Sequence, residues 1–238
     1  MKINILVISA HPDDAEMSCG GTIISHSKQG HKMGLIDLTM GELGTRGTPQ
    51  LRLEEAENAR KILGAEFREN LGMADGFFKN DQTHMLMVIE KIRQYQPDII
   101  LTNSPDDRHP DHCRAAALVK DAYFMAGLRE IKTNFEGTEQ EAWRPKALYH
   151  YLQHTLHRPD FIVDISGYLE QKMEAIQAFS SQFYNPESDE PDTVLSTPGF
   201  LERLRSASKT MGNQIFTDAG EGFIENRVHG VSDLNNLL

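Results

Sequence analysis

The 238-residue chain carries 24 Lys and Arg against 35 Asp and Glu, a formal net charge of −11 that argues against a nucleic-acid or anionic-membrane partner. Its 39% hydrophobic and 25% charged residues are the balance of a globular protein able to bury a full core, and one domain over 1–238 is expected. No segment reaches ~18 apolar residues, the N-terminus has no signal-peptide pattern, and Cys19 and Cys113 form neither a CxxC nor a disulfide framework, so a reduced, cytoplasmic protein is the simplest reading.

Residues 3–9 form an apolar run without alternation, which predicts a strand buried on both faces. A helix is expected over 15–29, ending near Gly30, and a second strand at 33–39 ("MGLIDLT"). The glycine-rich "MGELGTRGTPQ" follows, then a helix over about 50–63 with Thr48 as N-cap and Pro49 at the first helical position. A third strand is read at 65–70, a helix at 83–95 and a fourth strand at 98–103 ("DIILTN"). "HPDHCRAAALVKDAYFMAG" reads as a helix, 147–152 and 161–165 as strands, 168–179 as a helix, 184–198 as an acidic loop and 199–211 as a last helix. The alternation of strands and helices predicts an α/β fold: a Rossmann-like, mostly parallel sheet flanked by helices, with right-handed crossovers.

Two stretches carry chemistry. "AHPDD" (10–14) and "DDRHPDH" (106–112) each place His-Pro-Asp at the start of a helix that follows a buried strand. Pro12 and Pro110 suit the first helical position, and Asp13 and Asp111 suit the positive end of the helix dipole. A helix-start pattern does not account for His11 with Asp14, or for His109 with His112, each pair three residues apart. In the doubly wound order 3-2-1-4-5, strands one and four are neighbours and ligands bind in the crevice at their carboxyl ends. Both motifs would meet there, and two His with at least one Asp and an open position suit a catalytic divalent metal.

With these motifs the sequence resembles the LmbE/PIG-L family of zinc-dependent N-deacetylases, which act on small N-acetylglucosaminyl compounds. "DLTMGELGTRGT", "LRLEEAENARKILG" and "EGF" (221–223) resemble the branch that deacetylates N-acetyl-α-D-glucosaminyl L-malate in bacillithiol biosynthesis. The resemblance implies His11, Asp14 and His112 as metal ligands and Asp13 as general base. It implies His109 as a charged stabiliser of the transition state, with Asp111 as its supporting carboxylate. Arg52 would contact substrate at a sugar hydroxyl or the malate carboxylate, and Arg46 is a second substrate-binding candidate. Zn2+ is the family's ion, although a mixed His/Asp site also accepts Fe2+, Mn2+ or Co2+. A homo-oligomer, with a hexamer foremost, is implied as well. Some members use a mobile C-terminal tyrosine. Here Tyr184 is the only tyrosine after residue 168 and lies early, Phe200 stands near the expected place, and no tyrosine is assigned a role.

Other readings remain at this point. A deacetylase of another N-acetylglucosamine derivative, or an amidase of mycothiol-type conjugates, would share the mechanism. Two His and a carboxylate also describe a non-haem iron oxygenase, against which the α/β alternation and the extra Asp13 count. A non-catalytic sugar- or nucleotide-binding module should show G-x-G-x-x-G after strand one, and "AHPDDAE" does not. Cys19 and Cys113 are expected as small buried residues, and His150, His154 and His157 as structural or substrate-side groups rather than a second metal site.

Overall fold

The computed structural model describes residues 1–155, 157–233 and 235. A seven-stranded sheet runs β3-β2-β1-β4-β7-β9-β8, built from β1 (Ile5–Ser9), β2 (Met33–Thr39), β3 (Phe67–Met73), β4 (Ile99–Thr102), β7 (Ala147–Tyr151), β8 (Phe161–Asp164) and β9 (Gly220–Glu225). The first five strands of that order are parallel. This is the expected 3-2-1-4-5 arrangement, with β7 as its fifth strand. All of β1 and β2 is buried, because helices cover both faces. The pleat divides β1 between two cores. Leu6 and Ile8 pack with α3 (Gln82–Tyr95) and α4 (Pro110–Met125), whereas Ile5 and Val7 pack with α1 (Asp14–Lys28). A third core joins α2 (Pro49–Leu63), α5 (Leu169–Gln177) and α6 (Phe200–Asn213).

Thr48 caps α2 by accepting from the Leu51 N–H, and Pro49 stands inside the first turn. The third strand begins two residues later than expected and lies at a sheet edge. β9 has no counterpart in the sequence reading. It inserts between β7 and β8, antiparallel to both. Its sequence, GEGFIE, carries two glycines and two glutamates in a strand whose first four residues are buried. Also unforeseen is the short hairpin of β5 (Asn134–Phe135) and β6 (Thr138–Glu139), turned by Glu136 and Gly137, both at positive φ. Among the described residues no helix is long and apolar enough to cross a membrane.

Candidate metal centre

β1 and β4 are neighbours, and α1 and α4 leave them on opposite faces, so both His-Pro-Asp turns open into one crevice at the carboxyl ends of the strands. The rings of His11 and His109 lie 4.9 Å apart, those of His109 and His112 4.8 Å, and those of His11 and His112 5.5 Å. The two turns are not copies. In the second, Pro110 opens α4 and the His109 ring caps it, Nδ1 accepting from the Asp111 N–H at 3.2 Å. In the first, α1 begins only at Asp14, so Pro12 stands outside the helix and Asp13 is its N-cap at φ 104. That left-handed conformation is strained for a residue with a Cβ, and Asp is among the few that tolerate it. It turns the Asp13 carboxylate away from its own helix and onto Arg52, with Oδ2 3.0 Å from the guanidinium.

Each of the two histidine ligand candidates has one nitrogen committed to a carboxylate. His112 Nδ1 lies 2.9 Å from Asp107 Oδ1. His11 Nε2 lies 3.0 Å from Asp75 Oδ1 and 3.3 Å from Asp111 Oδ2. Those partners hold the N–H on the far side of each ring. His112 Nε2 and His11 Nδ1 are thereby left facing Asp14, at 3.2 Å from Oδ1 and 3.5 Å from Oδ2. Two imidazole lone pairs and a carboxylate, with each ring steadied from behind, suit a divalent cation. Ligand atoms of His11, His109 and His112 lie within 4.8 Å of one another, as do those of His11, Asp75 and Asp111. The second group is less suited to a cation, because Asp111 already accepts from the Gly76 N–H and pairs with Arg114.

Without a cation, the carboxylates set the charges. Burial opposes protonation of His11 and His112. Asp111, Asp14 and Asp75 outweigh it at His11, and Asp14 and Asp107 raise His112 to about 9. Burial pushes Asp13 up to about 7 against the opposing charge of Arg52. His109 is driven the other way, toward the neutral form, by burial and by the charges of His11 and His112. The charge of the Asp111 carboxylate does favour protonated His109, as expected, but burial and the charges of His11 and His112 outweigh it, and no hydrogen bond joins the two side chains. That carboxylate engages His11, the Gly76 N–H and Arg114, and only the backbone of Asp111 reaches the His109 ring.

Arg52 lines the cavity, and its two terminal nitrogens are engaged by the protein, with Gly41 O at 3.1 Å, Pro12 O at 2.6 Å and Asp13, whereas its buried Nε has no protein partner among the described residues. Gly41 has φ +66, and a Cβ there would fall 1.8 Å from the Arg52 guanidinium, which explains a glycine at this point of the loop. Arg46 is corrected more strongly. It lies outside the cavity lining and binds Phe183 O and Ser188 Oγ, near Glu190, because the acidic loop folds back over it. Asp75, Asn103, Asp107 and Gln153 were not found from the sequence. Each lies at a strand's carboxyl end or in the loop beyond it, where topology and not local pattern selects the partner. His154 lines the cavity and stacks on His112 at 5.8 Å. His150 is buried against Asn103 O, and His157 sits beside Asp106. Cys19 is buried, whereas Cys113 is only partly buried beside Asp107. Tyr184 is half exposed and outside the lining, and Phe200 packs in the third core.

The cavity has a volume of about 360 Å3 and is walled further by Leu43, Thr45, Arg108, Gln182 and Val194. An open α/β sheet whose switch point brings a candidate His/Asp ion site beside a buried carboxyl has an arrangement that suits metal-assisted activation of water. The family model described as PIG-L: GlcNAc-PI de-N-acetylase matches residues 6–123. A solved conserved protein from Thermus thermophilus is 33% identical, covers 97% of this chain and 98% of its own, and superposes with a TM-score of 0.85. The chain belongs to the PIG-L/LmbE family of deacetylases. A diacetylchitobiose deacetylase of Thermococcus kodakarensis is 29% identical over 191 residues, 75% of this chain and 70% of that one. A 4-oxalmesaconate hydratase of Pseudomonas putida is 28% identical over 193 residues, covering 74% and 73%. A probable N-acetyl-α-D-glucosaminyl L-malate deacetylase 2 of Bacillus anthracis is 25% identical over 217 residues, covering 84% and 92%.

Proposed function

We propose that this protein, as one domain over 1–238, is a metal-dependent N-deacetylase. It hydrolyses the acetamido group of a small N-acetylglucosaminyl compound, with N-acetyl-α-D-glucosaminyl L-malate the foremost substrate. The observation that carries the reading is the buried Asp13 carboxyl, held by Arg52 beside the His11, Asp14 and His112 cluster on the wall of one cavity. His11 Nδ1, Asp14 and His112 Nε2 would hold the ion, Zn2+ by family and Fe2+, Mn2+ or Co2+ by the chemistry of the same donors. Such an ion supplies Lewis-acid activation of water and of the acetamido carbonyl. Asp13, buried on the cavity wall and held by Arg52, takes the proton of the attacking water and returns it to the departing amine. His109 Nδ1 accepts from the Asp111 N–H, so the ring carries its proton on Nε2 and offers it toward the oxygen that gains charge.

The malate compound is supported by the "DLTMGELGTRGT" and "EGF" segments and by the Bacillus relative, while the chitobiose enzyme supports a neutral sugar instead. Work in the cytoplasm as a homo-oligomer, foremost a hexamer, completes the proposal. The test is acetate release by the metal-loaded protein from the malate compound and from diacetylchitobiose. Greater turnover of the second would replace the first. The hydratase relative favours one other reading, water addition to an unsaturated acid at the same site. Hydration of 4-oxalmesaconate without acetate release from any sugar would establish it.

A further inference from the structure

Three adjacent strands end at one carboxylate. The β1–β4 ladder pairs Ile8 with Thr102; beyond it the Ala10 N–H donates to the side chain of Asn103, Oδ1 at 2.9 Å. A backbone N–H can only donate, so this contact fixes which way the Asn103 amide faces. Its Nδ2 must then point at Asp14, where it lies 3.1 Å from Oδ2, and it also donates to Gln153 Oε1 at 3.3 Å. That second contact fixes Gln153, just beyond β7, in turn. Its Nε2 donates to Asp14 Oδ1 at 2.6 Å. The chain of donors leaves neither amide free to flip, and both place N–H groups on Asp14 without adding charge.

We propose that Gln153, locked by Asn103, is a positioning residue of the metal centre. It fixes the rotamer of Asp14 between His11 and His112 and so sets the affinity of the site for a divalent cation. The inference rests on reading His11, Asp14 and His112 as the ligands. Gln153 and Met17 line both the main cavity and a second one of about 40 Å3 whose lining includes Ser18, Lys172 and Glu221. A truncated Gln153 side chain would enlarge both, so a replacement of similar size isolates the lost donor.

The experiment titrates metal-free parent and Gln153→Met protein with Zn2+ and Co2+ against a chromophoric chelator, and records the visible spectrum of the Co2+ forms. The variant should bind each ion about 10- to 100-fold more weakly, the loss typical of an outer-sphere partner. Its Co2+ bands should shift, and kcat should fall while KM for an acetamido substrate stays within about twofold. Thermal unfolding of the metal-free forms reports folding. Should Gln153→Met not fold, Gln153→Asn, whose shorter amide cannot reach Asp14, is expected to show the same loss. Parent-like affinity and Co2+ spectrum in the folded variant would overturn the proposal, as would a defect confined to KM, which would make Gln153 a substrate contact. A parent protein that takes up neither ion would remove the ligand assignment itself, and this inference with it.

Discussion

Arg52 and Asp13 form a buried pair, guanidinium to carboxylate oxygen 3.0 Å, in which the arginine also binds the carbonyls of Pro12 and Gly41. One side chain thus holds the strained turn that presents Asp13, opposes the upward push of burial on its pKa, and fastens the glycine-rich loop to both.

Asp13→Asn removes the proton acceptor at nearly unchanged volume but leaves the buried Arg52 charge without its partner, so thermal unfolding is measured beside activity. Acetate release should fall by ~100- to 10,000-fold in kcat, with cation content unchanged by metal analysis. Arg52→Lys keeps the charge but cannot span three acceptors with a planar fork, and should lower kcat as well, with less effect on KM. Parent-like turnover by Asp13→Asn would assign the proton transfer elsewhere.

Asp107 is the counterpart of Gln153 on the other side of the centre. Oδ1 takes His112 Nδ1 at 2.9 Å and the His109 N–H at 3.0 Å, and Oδ2 takes the His154 N–H at 2.9 Å. Asp107→Ala frees the His112 ring to turn and should weaken cation affinity by ~10- to 100-fold. In Asp107→Asn an amide N–H would meet the His154 N–H head-on, so its loss should approach that of Ala in the same chelator competition. An Asn variant with full affinity would show that ring orientation does not depend on this carboxylate.

The paired His-Pro-Asp motifs were legible because each sits at the exit of a buried strand, and parallel order makes strands one and four neighbours. What stood around them was not. Asp75 and Asp107 hold the two ligand rings, yet each is an ordinary loop aspartate until the fold brings a histidine to it. Arg46 was read as a substrate group because its glycine-rich surroundings suggest a binding loop. Its true partners, Phe183 and Ser188, lie 137 and 142 residues on and carry no local signal. β9 was hidden for a related reason. A glutamate in a strand reads as exposed, but Glu221 is buried against a lysine from α5.

Arg46 tests that clasp. Its carbonyl accepts from Gln182 and the neighbouring Gly47 N–H donates to Glu190, so one short stretch holds the loop whose Thr193, Val194 and Leu195 wall the cavity. Arg46→Ala should speed proteolytic cleavage within 184–198 and raise KM more than it lowers kcat. Unchanged cleavage and KM would show that the loop holds without it.

Tyr95 gives a pH dependence far from the metal centre. Burial, and then the hydrogen bond to Glu69, hold its hydroxyl pKa above the usual value. The folded state therefore retains a proton that the unfolded chain releases above about pH 10. This contribution is fully present below that pH and is lost as pH rises toward the folded value. In urea unfolding between pH 8 and 11, the stability advantage of the parent over Tyr95→Phe should shrink above about pH 10. A constant difference would remove the linkage.

The buried Lys172–Glu221 pair, 2.7 Å apart, ties β9 and α5 to the helix that carries Asp14. α1 breaks from helical geometry at Cys19, and the Glu221 carboxylate takes the N–H groups of Gly21 and Thr22 just beyond the break, at 2.9 and 2.7 Å. It acts as a cap supplied from another strand. Lys172→Met leaves that carboxylate buried without its counter-charge, and removing one member of such a pair typically costs ~3–5 kcal/mol. Glu221→Gln keeps one acceptor for two N–H groups and leaves the lysine charge buried, so it too should destabilise strongly. The double variant removes both charges and should be less destabilised than the two single losses added together. Urea unfolding of the four proteins measures the coupling directly. Simple additivity would mean that the pair contributes no more than its separate contacts.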